Sequence, residues 1–179
     1  MLEGPDREAW QRPDQIMDAL GIGDGSVVAD LGAGGGWFTV RLARRVGPNG
    51  VVYAEDIQPQ MIEAIQRRVN REGLRNVSAV LGAADHPALP AARLDAALMV
   101  DTFHEVEDTR SLLTNVRAAL KLGGRLGIVE YKSDGGGPGP AREERMASAQ
   151  VIRAAEAAGF RLLRQEHFLP YQYLLVFTR

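Results

Sequence analysis

The chain alternates between short, almost unbroken apolar runs and stretches in which apolar residues recur every three or four positions. The runs Val27–Leu31, Val51–Ala54, Val77–Leu81, Leu94–Val100 and Arg125–Tyr131 read as strands. Leu94–Val100 carries only Asp95 among apolar neighbours, the pattern of a strand covered on both faces. Helical stripes lie between the runs. Phe38, Leu42 and Val46 face one way, with Arg41, Arg44 and Arg45 on a solvated opposite side. Met61, Ile62, Ile65 and Val69 follow Pro59, a residue suited to a first helical turn. A helix is predicted over Asp108–Leu120, with Gly123-Gly124 as its stop, and another from a Ser148 cap to Ala158, closed by Gly159. Five strands alternating with helices imply an α/β fold, a parallel sheet with helices on both faces.

The two remaining strand-like runs, Phe160–Phe168 and Gln172–Thr178, are joined only by Leu169-Pro170-Tyr171. So short a link cannot make a parallel crossover, so the pair is an antiparallel hairpin. His167 then falls within the sixth strand and reads as structural. Ahead of the first strand, Trp10, Ile16, Met17 and Leu20 with Pro13 among them predict two short helices and a kink, ended by Gly21, Gly23 and Gly25. Residues 1–24 thus form an N-terminal helical segment, either packing or a lid, ahead of a domain over 25–179. Ala83–Arg93 holds two prolines and is a loop. Ser133–Pro140, with Gly135-Gly136-Gly137-Pro138-Gly139-Pro140, is the low-complexity stretch; a substrate gate and a plain linker both fit it.

Chemistry concentrates where the first strand meets the first long helix, at Asp30-Leu31-Gly32-Ala33-Gly34-Gly35-Gly36-Trp37. Glycines at a strand-to-helix turn let the backbone approach a ligand closely, and the helix start turns free N–H groups toward it. The third glycine of a GxGxxG pattern is replaced by Trp37, giving GxGxG. Asp30 decides which ligand. An acid two residues before the first glycine would repel a pyrophosphate and attract a cation. S-adenosylmethionine fits, with its ammonium, sulfonium and adenosine and no phosphate. Asp56, ending the second strand, can accept bonds from ribose hydroxyls, with Glu55 as its competitor.

These residues resemble the first motif of the class I S-adenosylmethionine-dependent methyltransferases, and the likeness extends from Val27 to Phe177. The resemblance implies a doubly wound, Rossmann-like seven-stranded sheet of order 3-2-1-4-5-7-6, mostly parallel with an antiparallel C-terminal strand. It gives Asp30, Gly32, Ala33, Gly34 and Gly36 to the cofactor turn, Asp56 to the ribose and Ile57 to the adenine face. Gly82-Ala83-Ala84-Asp85-His86 matches the third motif, so Asp85 would take the adenine amino group and the His86 backbone the ring nitrogen. Asp101 would sit beside the methionine part. Arg7–Pro13 resembles a segment found in one group of small bacterial members, which lends Trp10 and Gln11 to the lid reading.

Methyl transfer to a small-molecule nucleophile follows as the expected reaction. His104, just past the fourth strand, is the best-placed base, with Glu105 as its partner; a loop histidine satisfied by its neighbours is the plain alternative. Tyr131 and Tyr171 are candidates for an acceptor pocket or for packing. The formal net charge of −2 gives no reason to expect nucleic acid or a membrane surface, and the absence of cysteine excludes disulfides and thiolate metal sites. No metal is expected. With no apolar run of membrane-spanning length and no signal pattern, a cytoplasmic monomer or homodimer is the expectation. Two rivals remain: a non-catalytic domain that binds the donor or its demethylated product, and a nicotinamide-dependent oxidoreductase.

Overall fold

A computed structural model describes residues 3–179; residues 1 and 2 of the expected N-terminal segment lie outside them. Two short helices, α1 (Arg7–Gln11) and α2 (Pro13–Ala19), meet at Arg12, whose left-handed backbone (φ 48°) makes the kink that Pro13 demands. Then come β1 (Val27–Leu31), α3 (Trp37–Val46), β2 (Val51–Asp56), α4 (Pro59–Arg71), β3 (Val77–Leu81) and β4 (Leu94–Val100). They are followed by α5 (Thr109–Ala119), β5 (Leu120–Tyr131), α6 (Ser148–Ala157), β6 (Arg161–Glu166) and β7 (Gln172–Thr178). The seven strands form one sheet of order β3-β2-β1-β4-β5-β7-β6, as the resemblance implies. Pairings from β3 through β5 are parallel, and β7 runs antiparallel to both β5 and β6.

The two-residue period of each strand divides the core in two. On one side Ala29, Leu31, Leu175 and Phe177 pack with α5 and α6 through Leu113, Val116 and Val151. On the other, Val28, Leu174 and Val176 pack with α2 and α3 through Ile16, Phe38 and Leu42. Burying one such Leu or Ile side chain contributes about 1.5–3 kcal/mol, so α2 is anchored by a few residues only. Asp95 is tolerated in β4 because it accepts the Val27 N–H (2.8 Å) and pairs with Lys121 (3.0 Å). The arginines of α3 are not merely solvated: Arg41, Arg44 and Arg45 pair with Glu8, Glu72, Asp14 and Asp18.

Three boundaries differ from the sequence expectation. The helix predicted to reach Leu120 ends at Ala119, because fully buried Leu120 pairs with Leu94 at the start of β5. Lys121–Gly124 then bulge out of register, so Gly123-Gly124 shapes a strand irregularity rather than a helix stop. A Cβ on Gly124 would lie 2.8 Å from the Lys121 carbonyl. Ser148 is the first helical residue of α6 and not its cap; the Gln150 side chain accepts the Ala147 N–H instead (3.2 Å). Finally, β6 stops at Glu166, which leaves His167 exposed beyond it.

Candidate functional site

At the carboxyl ends of β1, β2 and β4 a cleft of about 590 Å³ opens where the strand order reverses direction. Its floor is the glycine turn. Gly32, Gly34 and Gly36 all have positive φ (68°, 57° and 87°), but for different reasons. A Cβ on Gly32 would collide with Thr102 at 2.4–2.6 Å, so the close approach of two chain segments requires glycine. Nothing lies within 4 Å of a Cβ on Gly34, which borders open cleft. Gly36 caps α3 and packs toward Ile65 and Arg68 rather than lining the cavity.

The amides of this turn are already occupied. Gly34 donates to Asp56 Oδ2 (2.9 Å), Ala33 to the Glu55 carbonyl (2.8 Å), and Gly32 more weakly to Glu55 Oε1 (3.5 Å). Asp56 Oδ1 also accepts the Gln58 N–H (3.0 Å), which fixes this carboxylate at the mouth with Ile57, 53% exposed, beside it. Asp30 is 2% exposed and accepts the Thr39 hydroxyl (2.7 Å). Burial raises its pKa to about 6, and burial together with Asp56 and Asp30 raises Glu55 to about 7. Asp30, Glu55, Asp56, Asp101 and Glu105 all line the cleft, and Arg7 is its one cation among the described residues. Such a cavity repels a diphosphate and attracts a cation.

Arg7 went unnoticed in the sequence. It lies one helical turn before Trp10 and Gln11, so α1 turns all three inward. Its guanidinium donates to Gln11 Oε1 (3.3 Å), stacks over Trp37 at 4.1 Å and borders the cleft. Gln11 in turn donates to Gln172 (2.7 Å). Trp10 does not reach the cleft; it packs against Tyr131 and Tyr171, ring centroids 6.3 and 6.1 Å away.

Asp85 and His86 are also displaced from their expected places. Ala83 and Ala84 line the cleft, whereas Asp85 and His86 are exposed and do not. The His86 N–H, expected to be free for a ring nitrogen, closes a turn on the Ala83 carbonyl (3.2 Å), and Asn115 holds the Asp85 carbonyl (2.8 Å).

Past β4, Asp101 (φ 54°) turns the chain into a helical turn over Phe103–Glu105. His104 finds a partner other than the one expected. Glu105 is 74% exposed and 3.8 Å from Nε2, while Nδ1 lies 3.0 and 3.1 Å from both oxygens of Glu130 in β5. Glu130 is 1% exposed and also accepts the His104 backbone N–H (3.1 Å). Burial alone would lower the His104 pKa, but Glu130, Asp101 and Glu105 together raise it. Glu130 is itself raised, burial outweighing His104 and the backbone donors. The arrangement fixes Nδ1 as donor and leaves Nε2 as the basic atom. Asp101, His104 and Glu130 bring one ligating atom each within 4.8 Å, a spacing that a divalent cation can also bridge.

Beyond this cluster lies a second cavity of about 700 Å³, walled by Pro138, Gly139, Pro140 and Glu144 and sharing Asp101 and Glu105 with the first. The glycine-rich loop is laid on aromatic rings: Cβ atoms on Gly137 and Gly139 would fall 2.3 Å from Tyr171 and 2.6 Å from Tyr131. Arg145 holds it by the carbonyls of Pro140 (3.0 Å), Gly136 (3.1 Å) and Lys132 (3.3 Å).

Fold and site together define a doubly wound α/β domain with an acidic nucleoside-type crevice leading into a second chamber. Residues 28–124, more than half the chain, match the methyltransferase domain family, and the chain belongs to it. It is 34% identical over 128 residues to a ubiquinone/menaquinone biosynthesis C-methyltransferase of Pasteurella multocida, covering 68% of this chain and 45% of that protein. It is 32% identical over 102 residues to an aklanonic acid methyltransferase of a Streptomyces species, covering 57% and 46%. The chain thus spans about half the length of these curated relatives. The solved structure of an S-adenosylmethionine-dependent methyltransferase from Aquifex aeolicus superposes with a TM-score of 0.94 at 29% identity, covering 98% of this chain and 94% of that one. No helix among the described residues is long and apolar enough to cross a membrane.

Proposed function

We propose that this chain binds S-adenosylmethionine in the acidic cleft and directs its methyl group to a small-molecule acceptor in the adjoining chamber. The observation that carries this reading is the glycine turn itself, its amides held by Asp56 and Glu55 and buried Asp30 beneath it. A dinucleotide would need those amides for its phosphates and would meet carboxylates instead; a cationic donor meets complementary charge. The family resemblance supports the same choice over a nicotinamide cofactor.

The donor brings an already electrophilic methyl on a sulfonium, so the protein has to orient, enclose and manage a proton. Asp56 is the residue for the ribose hydroxyls, because its fixed carboxylate stands at the mouth. Exposed Ile57 is the cover for the adenine face, and Ala83 and Ala84 give the far wall. Arg7 is the partner for the methionine carboxylate, and Asp30 is the counter-charge for the ammonium. Through Arg7 the N-terminal segment closes the cleft, which gives residues 3–24 the role of a lid wall. His104, held by Glu130, is the base that takes a proton from the acceptor through Nε2.

Calorimetry with S-adenosylhomocysteine and with NAD tests the cleft. The first is expected to bind and the second not; the reverse result ends the proposal. Replacing His104 by Ala is expected to lower turnover about 100-fold or more while leaving S-adenosylhomocysteine affinity within a few-fold. Unchanged turnover would remove the histidine from the chemistry.

A further inference from the structure

The two cavities meet at Asp101 and Glu105, the residues that line both. A group travelling from donor to acceptor has to pass there. Three features of that junction bear on what waits on the far side. Asp101 lines both cavities, and its Oδ1, sealed from solvent without a hydrogen-bond partner 3.7 Å from His104 Nδ1, leaves uncompensated negative charge at the junction. The chamber beyond carries His104, Glu105 and Glu144 on its walls and, among the described residues, no lysine or arginine. The nearby cation Arg145 is spent on loop carbonyls and stacks over Tyr131 at 5.2 Å.

Resting on the methyl-transfer reading, we propose that the second chamber is an acceptor site for a primary or secondary amine bound as its ammonium ion, with Asp101, Glu105 and Glu144 supplying the opposing charge. An ammonium has no lone pair to offer, so one proton must leave first. His104 Nε2 takes it, and Glu130 stabilises the imidazolium that results. The freed lone pair forms the nitrogen–carbon bond as the carbon–sulfur bond of the donor breaks, its electrons remaining on sulfur as a neutral thioether. The methylated product is again an ammonium, and His104 returns its proton to water, so each turnover releases one proton. Carboxylate and phosphate acceptors meet like charge at three positions and are excluded.

The test uses the full chain loaded with S-adenosylhomocysteine and titrated with benzylamine, benzyl alcohol and benzoate as matched probes. Benzylamine is expected to bind roughly tenfold tighter than the alcohol, a charge-assisted hydrogen bond's worth, and benzoate weakest. Asp101→Asn is expected to abolish that preference and Glu144→Gln to reduce it about threefold, with S-adenosylhomocysteine affinity unchanged in Glu144→Gln. With the donor present, N-methylbenzylamine should appear in step with S-adenosylhomocysteine, and a chelator should leave the rate unchanged. Equal binding of the alcohol or benzoate, preferential methylation of either, or loss of rate with chelator and its recovery with manganese would overturn the proposal while leaving the donor site intact. Failure of S-adenosylhomocysteine itself to bind would instead remove the reading beneath it.

Discussion

The two chambers are built in opposite ways. The donor cleft is local: one turn between β1 and α3 supplies the glycines and Asp30, and the strand beside it supplies Glu55 and Asp56. The second chamber is assembled from afar, Asp101 and His104 from the end of β4, Glu130 from β5, and its wall from the loop and Glu144 that follow. A chamber made of separate side chains can change its clientele without touching the turn. Breaking each in turn should therefore give different losses.

The largest effect is expected at Gly32. Gly32→Ala puts a Cβ inside Thr102 and holds a non-glycine residue at φ 68°. Left-handed strain of about 1–2 kcal/mol adds to roughly 1–3 kcal/mol of overpacking. S-adenosylhomocysteine affinity should fall at least 100-fold in calorimetry, with a lower melting temperature. Gly34→Ala, whose Cβ meets open space, carries the strain alone and should lose far less. Equal losses would mean that conformation, and not the approach of Thr102, shapes the turn.

Next comes charge. Asp30 has its pKa raised from the ordinary carboxylate range to about 6 in the folded protein. Its folded value exceeds the unfolded one, so its contribution to stability is fully present below about pH 4 and is lost as pH rises through 6. At pH 7.5 (about the usual assay condition) the ionised form opposes folding by about 3 kcal/mol at most. Asp30→Asn should therefore raise the melting temperature of the ligand-free protein while weakening a cationic donor roughly 100-fold. Donor affinity in the native protein should rise between about pH 5 and 8, as Asp30 and then Glu55, raised to about 7, ionise. Binding near pH 6 (about the Asp30 midpoint) should release protons, measurable by calorimetry in two buffers of different ionisation enthalpy. A pH-independent affinity would show that neither carboxylate meets the ligand's charge.

In the second chamber the decisive exchange is Glu130→Gln. The carboxylate that counteracts burial at His104 disappears, so the imidazole pKa should drop below its present raised value. The acid limb of the pH–rate profile should move to lower pH, with turnover falling about 10- to 100-fold and S-adenosylhomocysteine affinity holding. Glu105→Gln, removing an exposed carboxylate 3.8 Å from Nε2 that raises the imidazole pKa less than Glu130 does, should move the limb the same way by a smaller amount.

This contrast also explains what the sequence disclosed. The strands and the hairpin were legible because periodicity and a short link are local facts, and so was the turn around Asp30; the sheet order came with the family resemblance. The His104–Glu130 pair was not legible, because the residues are 26 apart in the chain, whereas the neighbouring acid, Glu105, 3.8 Å from Nε2, is only the weaker partner. Arg7 escaped for a related reason: as one arginine among many, it is distinguished only by the α1 face that buries it. Asp85 and His86 lie outside the cleft lining, a placement that a degenerate pattern next to prolines does not disclose. Leu120 went to the helix because its apolar period continued the stripe, while its pairing with Leu94 is visible only across the sheet.

The smallest expected effect concerns Arg145, one side chain holding a loop that the glycines lay over Tyr131 and Tyr171. Arg145→Ala removes donors from four carbonyls, that of Pro138 included, and the cation over Tyr131, but those carbonyls lie near the surface and water can replace the guanidinium. The loss of stability should be near 1 kcal/mol. The functional consequence should be confined to the second chamber, because the loop lines that cavity and is absent from the lining of the donor cleft. The Michaelis constant for an acceptor should rise several-fold, and hydrogen exchange at residues 134–140 should accelerate, with the donor constant unaltered. A matching rise in the donor constant would show that the loop closes both chambers together, and the separation between a shared cleft and an individual one would not hold.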